Sequence, residues 1–242
     1  VPLMVDNTFA TPILCKPFEL GANIVVHSTS KYMDGHAVAL GGIIVDGGNF
    51  NWDNGKFPDL VEPDESYHGV SYLKQFGEAA YITKARVQVM RNFGMTASPF
   101  NAWLTNLGCE SLHLRMRQHS DNALKIAKYL HDNEMCAWVK YPGLDDNKYY
   151  ELAKKYLPNG CSGVMTFGVK GGRDASRKFI NALKMVALVT HVADARTCVL
   201  QPASTTHRQL SDAELVACGI SPDMIRLSVG IEDADDIIAD FE

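Results

Sequence analysis

The chain has 242 residues, 46% hydrophobic and 21% charged, a globular balance that excludes disorder, collagen and coiled coil as whole-chain classes. The net charge of −5, with Lys and Arg dispersed, argues against nucleic acid and anionic membrane surfaces as partners. A folded chain of this size buries roughly 70% of the surface its unfolded form exposes, so a sizeable core forms without disulfide or metal staples. No apolar run reaches the roughly 18 residues of a membrane-spanning helix. The six cysteines, Cys15, Cys109, Cys136, Cys161, Cys198 and Cys218, include no C-x-x-C pair. Scattered thiols of this kind are expected to be reduced and buried, in a cytoplasmic protein. No secretory leader is visible.

The opening, Val1-Pro2-Leu3-Met4-Val5, is already apolar and strand-like, and it predicts entry into the middle of a domain. Leu3-Met4-Val5 ends in Asp6-Asn7-Thr8. Pro17 to Gly21 predicts a short helix closed by glycine. Ile24-Val25-Val26 and Ile43-Ile44-Val45 are two further buried-strand candidates. Short β-branched runs separated by turns and helices predict an α/β fold with a mostly parallel sheet. Residues 49–77, rich in Gly, Asn, Asp, Pro and aromatics, read as a long ordered loop. Trp52 and Tyr67 within it either shape an entrance or anchor the loop.

From Glu78 the periodicity turns helical, and Ser98-Pro99 begins a helix. Over 110–132, Leu112, Met116, Ala123, Ile126, Ala127 and Leu130 fit one apolar helix face. Trp138-Val139, residues 164–169 and residues 225–229 read as strands. Residues 175–188 and 233–241 read as helices. A boundary between Ile82 and Ser98 predicts two units, residues 1–90 and a C-terminal α+β domain over residues 91–242.

In such sheets ligands gather at the carboxyl ends of strands. There lies the string Val26-His27-Ser28-Thr29-Ser30-Lys31-Tyr32. Hydroxyls and N–H groups at a turn hold phosphate, and a lysine amine condenses with an aldehyde. Pyridoxal phosphate carries both groups and also requires an acid near its ring nitrogen, for which Asp6 is the candidate. Taken alone, such a string more often marks a plain surface lysine after a turn. No glycine pattern supports a dinucleotide site, and His36 has no partners at metal-ligand spacing.

The segments 5–12 and 26–32 together resemble the pyridoxal-phosphate-dependent trans-sulfuration (Cys/Met metabolism) family. The likeness continues through Gly35-His36, Gly41-Gly42, Lys84-Ala85-Arg86, Ser98-Pro99-Phe100-Asn101-Ala102 and Leu107-Gly108-Cys109-Glu110-Ser111-Leu112. It ends at Arg226-Leu227-Ser228-Val229-Gly230-Ile231-Glu232-Asp233. Residues 44–52, Tyr67-His68-Gly69 and Pro202-Ala203-Ser204-Thr205-Thr206-His207 resemble the O-acetylhomoserine sulfhydrylase branch.

The resemblance implies a fold-type I transferase, with the first domain present only in its C-terminal part and the earlier strands of the cofactor domain missing. It implies that Lys31 carries pyridoxal 5'-phosphate and moves protons, and that Asp6 pairs with the ring nitrogen. It also implies that Ser28 and Ser30 contact the phosphate, that Thr8 lines the site and that Arg226 holds the substrate carboxylate. The implied reaction is γ-replacement on O-acetylhomoserine with sulfide or a thiol, in a homotetramer with shared active sites. Methionine γ-lyase and cystathionine γ-synthase are alternatives within the family, and a non-catalytic fragment is the alternative outside it. Two departures stand out. His191-Val192-Ala193-Asp194-Ala195 replaces the family's Ser or Asn, apolar residue and Gly before Asp-Ala, which makes His191 a candidate substrate contact. Gln201 stands where sulfhydrylases often have His.

Overall fold

The computed structural model describes all of residues 1–242. Strands β1 (Met4–Asp6), β2 (Ile24–Ser28) and β3 (Gly42–Asp46) form a sheet in that order. Between β1 and β2 run α1 (Thr11–Leu14) and a 3-10 turn over Pro17–Leu20, closed by Gly21 at φ 94 as the sequence predicts. β1 and β2 are parallel, with Asp6 opposite Val26. β2 and β3 are antiparallel, with Ser28 opposite Gly42. The sheet is therefore mixed. Residues 29–41 contain the lysine turn and no crossover helix, without which a parallel return is out of reach.

Residues 49–77 hold two short helices, α2 (Pro58–Val61) and α3 (Tyr72–Phe76), and a 3-10 turn at Glu65–Tyr67. Trp52, Leu60 and Tyr72 are buried against Ile24 and Ala80. Trp52 stacks on Tyr81 with ring centroids 5.3 Å apart, and Tyr67 stacks on Tyr72 at 6.0 Å. Both aromatics anchor the loop. A helical run then passes through α4 (Ala80–Lys84), a π-helical turn (Ala85–Met90) and α5 (Arg91–Phe93), and stops at Gly94, φ 71.

Helices α6 (Pro99–Glu110) and α7 (Leu112–Asp132) follow, and α7 buries all six apolar residues predicted for its face. The remaining elements are β4 (Cys136–Lys140), α8 (Tyr150–Tyr156), β5 (Val164–Val169), α9 (Gly172–Ala182), β6 (Ala187–Leu188), β7 (Cys198–Leu200), α10 (Asp212–Ala217), β8 (Met224–Ser228) and α11 (Ala234–Phe241). The second sheet has the order β4-β5-β8-β7-β6, antiparallel except for β6 with β7. Its main core packs Ile126, Ala127 and Leu130 of α7 and Ile237 of α11 on Met165, Phe167, Ile225 and Leu227.

Three expectations are corrected. Ile43, Ile44 and Val45 form a strand as expected, but as the edge strand of the first sheet they are exposed, not buried. The helix over residues 175–188 ends at Ala182. The Asp240 carboxylate accepts the N–H groups of Lys184, Met185 and Val186, which holds that segment open, and Ala187–Leu188 pairs with β7 as a strand. The cysteines are free, but only Cys198 is buried; Cys109 and Cys218 are exposed.

Candidate active site

The carboxyl ends of β1 and β2 are joined by side chains. Asp6 Oδ1 accepts the Thr8 N–H at 3.0 Å and the Thr8 hydroxyl at 2.6 Å. Thr8 Oγ1 in turn accepts the Ser28 N–H at 2.8 Å. This ring of bonds fixes the Asp6 carboxylate beside the lysine turn and leaves Oδ2 without a hydrogen bond. The Ser30 hydroxyl is engaged with the chain itself, accepting Gly41 N–H at 2.9 Å and donating to Gly41 O at 3.3 Å. Ser28 is half-buried and its hydroxyl makes no hydrogen bond.

Lys31 follows, half-buried, and its amine has neither a hydrogen bond nor an ion pair. Burial lowers its pKa, Arg226 acts in the same direction, and the Cys198 thiol opposes both. Arg226, on β8, reaches the site from the second sheet. Its Nη2 donates to Thr190 O at 2.9 Å and His191 O at 3.1 Å, and no carboxylate pairs with it. Burial lowers its pKa too. Two unpaired cations within electrostatic reach make an anion-receptive pocket. His191 lies beside them, its Nε2 3.9 Å from Asp194 Oδ2.

The lysine turn is clamped from the second half of the chain. Arg115 is buried and donates to Tyr32 O at 2.8 Å, Gly108 O at 2.6 Å and Ser111 Oγ at 3.0 Å. Gly35 is required beside it: at φ +70, a Cβ there would lie 2.3 Å from Arg115 Nη1. The Tyr32 hydroxyl accepts the Gly163 N–H at 3.0 Å, and Gly35 O accepts the Ala195 N–H at 2.8 Å. Ala193 N–H donates to the Ser228 hydroxyl at 2.8 Å, fixing the His191–Ala195 segment against β8.

The structure thus gathers Asp6, Thr8, Ser28, Ser30 and Lys31 on one side and Arg226 and His191 on the other. Sequence reading missed Arg115, Asp34 and Cys198. Asp34 had a signal, as an acid between the quoted segments 26–32 and Gly35-His36; Arg115 and buried Cys198 had none. Gln201 is buried and its amide donates to Arg173 O and Pro222 O, a fastening role. The His207 ring bonds only the neighbouring Thr206 hydroxyl.

These residues fit pyridoxal phosphate. An unpaired amine, a carboxylate with one free oxygen and a free hydroxyl stand at adjoining strand ends, and their donor chemistry matches aldehyde, pyridine nitrogen and phosphate respectively. Fold and site together define a fold-type I α/β scaffold of the pyridoxal-phosphate-dependent class, with a free lysine amine at its strand ends. The sequence profile described as Cys/Met metabolism PLP-dependent enzyme matches residues 1–242, and the chain belongs to that family.

The chain is 47% identical to an O-acetyl-L-homoserine sulfhydrylase of Leptospira meyeri and 48% identical to a homocysteine synthase of Schizosaccharomyces pombe. Both matches cover 100% of this chain and 57% of the relative. A crystal structure described as an O-acetylhomoserine (thiol)-lyase of Campylobacter jejuni, containing N'-pyridoxyl-lysine-5'-monophosphate, superposes with a TM-score of 0.93. That protein is 37% identical, and the match covers 98% of this chain and 57% of the other. The chain therefore spans somewhat over half the length of these relatives.

Proposed function

We propose that Lys31 holds pyridoxal phosphate and that the enzyme performs γ-replacement on O-acetylhomoserine, with sulfide or a small thiol as acceptor. The observation that carries this reading is the unpaired, half-buried Lys31 amine between the Asp6 strand end and Arg226. Relatives that are named as O-acetylhomoserine sulfhydrylases and homocysteine synthases support the substrate. When bound, the cofactor supplies an electron sink for negative charge at the substrate Cα.

The protein's own residues do the rest. Lys31 Nζ gives the condensing amine and takes up and returns protons at the reacting carbons. Asp6 Oδ2, left open while Oδ1 is tied to Thr8, accepts the ring N–H. Ser28 donates its hydroxyl to phosphate, and Ser30 keeps the turn in shape for that contact through Gly41. Arg226 offers its remaining N–H donors to the substrate carboxylate as a planar fork. His191 lines the carboxylate side.

We further read residues 1–90 as part of the cofactor domain and residues 91–242 as the C-terminal domain, a division within the helical run that ends a few residues later at Gly94. A homotetramer with shared sites is supported by the apolar groups that α6 exposes, Phe100, Trp103 and Leu107. A cytoplasmic place is consistent with free cysteines.

The test is reconstitution of the full-length enzyme with pyridoxal phosphate, borohydride fixation and peptide mass spectrometry. The adduct mass is expected on Lys31 and is lost in Lys31→Ala. An adduct on another lysine refutes the assignment. Homocysteine from O-acetylhomoserine plus sulfide, exceeding α-ketobutyrate from methionine, separates replacement from lyase activity. A chain of 242 residues that takes up no cofactor supports the reading of a non-catalytic fragment.

A further inference from the structure

Arg226 is already engaged by the chain's own backbone. Arg226 and Ser228 lie two residues apart on β8 and so share one face of the second sheet, and Cys198 lies opposite Ser228 on β7. All three side chains hold the segment over residues 190–195. Ser228 Oγ accepts the Ala193 N–H at 2.8 Å, and the Cys198 thiol donates to His191 O at 3.4 Å. Arg226 Nη2 donates to Thr190 O at 2.9 Å and to His191 O at 3.1 Å. The His191 carbonyl therefore has two donors, one a guanidinium and one a thiol.

A guanidinium grips a carboxylate along an edge that presents two parallel N–H bonds. Both open edges, Nη1 with Nη2 and Nε with Nη2, include Nη2. Two carbonyl acceptors account for the two N–H bonds that Nη2 carries. The fork that Arg226 offers is therefore completed only when one carbonyl gives Nη2 back. His191 O is placed to do so: its bond is the longer of the two, and it has a second donor in Cys198. The chain is pinned on either side, by Val189 N–H on Val199 O at 3.3 Å and by Ala193 N–H on Ser228. Between those points no backbone N–H of residues 190–192 is hydrogen-bonded, so the His191 carbonyl tilts without breaking another backbone bond.

We propose that the His191 carbonyl is a placeholder for the substrate carboxylate on Arg226, and that Cys198 keeps hold of this carbonyl when the carboxylate displaces it. No covalent bond changes; one Nη2–H exchanges a carbonyl acceptor for a carboxylate. This rests on Arg226 being the residue that takes the substrate carboxylate. Cys198 is then a positioning residue, because a displaced carbonyl left without any donor would subtract from the affinity for substrate.

The test uses the full-length holoenzyme with two probes. L-norvaline has the carboxylate but no leaving group at Cγ, and butylamine is the same molecule without the carboxylate. Infrared difference spectra read the S–H stretching band of Cys198, assigned by its loss in Cys198→Ser or Cys198→Ala. Norvaline is expected to move the band to lower frequency, as His191 O turns its full acceptor strength to the thiol, and butylamine to leave it in place. In spectral titrations Cys198→Ala should weaken norvaline roughly three- to tenfold and butylamine not at all, and Cys198→Ser should recover most of the loss. A band unmoved by norvaline overturns the proposal even if a variant fails to fold, and so does a Cys198→Ala protein that weakens both probes equally. If Arg226→Lys still weakens norvaline in either case, Arg226 remains the holder of the carboxylate. Norvaline binding unchanged in Arg226→Lys removes Arg226 from that role, and the placeholder with it.

Discussion

Gly108 lies inside α6 where that helix crosses the lysine turn, and Gly108→Ala tests how tightly the two are pressed together. A Cβ at that position would lie 2.4 Å from the carbonyl oxygens of both Met33 and Asp34. Carbon–oxygen contacts settle near 3.3 Å, so helix or turn would have to retreat by about 1 Å. Both obstructing atoms are backbone, so no rotamer change relieves the clash. Retreat is further resisted by Arg115, which bonds Gly108 O at 2.6 Å and Tyr32 O at 2.8 Å and so ties the two segments together. In an unobstructed helix the substitution would stabilise by about 1 kcal/mol. Overpacking here costs about 1–3 kcal/mol, and straining charge-assisted hydrogen bonds adds about 1 kcal/mol. The expected net loss is about 1–3 kcal/mol, read as a lower urea midpoint at unchanged m-value. Slower condensation of Lys31 with pyridoxal phosphate should accompany it. A Gly108→Ala protein more stable than the wild type would refute the close approach, because the sign itself separates the two cases.

His119 is buried, with Nδ1 bonded to Val229 O and Nε2 unpartnered, and burial pushes its pKa down to about 4. Its contribution is complete above the ordinary value of 6.5, and stability falls by about 3 kcal/mol as pH drops to about 4, a slope that His119→Gln should flatten in denaturation curves. Ala193 holds φ 67 where the family has glycine, so Ala193→Gly trades about 1–2 kcal/mol of left-handed strain for a lost buried methyl and added chain freedom of similar total. Its thermal unfolding should stay within about 1 kcal/mol of wild type, and a loss of several kcal/mol would contradict the strained backbone. Arg226→Lys forfeits the planar fork and should weaken binding of the amino-acid substrate to the holoenzyme roughly 10–100-fold, seen in spectral titration, with little change in the urea midpoint. Asp240 is favoured as the proton-bound form by burial, but the N–H groups of Val186, Lys184 and Met185 outweigh this and hold its pKa below the usual carboxylate range. The stability it contributes above its unfolded pKa is lost as acid titrates the folded carboxylate, and Asp240→Asn should lessen that acid sensitivity.

The elements that periodicity marked most strongly are the ones the structure keeps. The apolar face of α7 is one case, and the β-branched run of β2 is another, because burial against one surface writes a regular pattern. The placing of Lys31 and Asp6 near neighbouring strand ends was legible for a different reason: a polar string follows each short apolar run. What stayed hidden depended on contacts across the fold. The end of α9 is decided by the Asp240 carboxylate far along the chain, and no local signal in residues 183–188 announces it. The mixed sheet depends on what fills residues 29–41, which composition does not reveal. Arg115 reads as an ordinary charged helix residue, and only the approach of Tyr32 O and Gly108 O explains why a guanidinium is buried there.

Beyond its local bonds, the lysine turn is seated by struts from far along the chain. Tyr32 is bonded to Gly163 across 131 residues and to Arg115 across 83. Closing such wide loops is entropically slow compared with forming a local turn. During synthesis the amine emerges long before the segments that seat it, and it must wait for the second sheet to assemble. Lys31 therefore serves as a clock on folding: its aldehyde reactivity should acquire its mature value only after the far strands have paired.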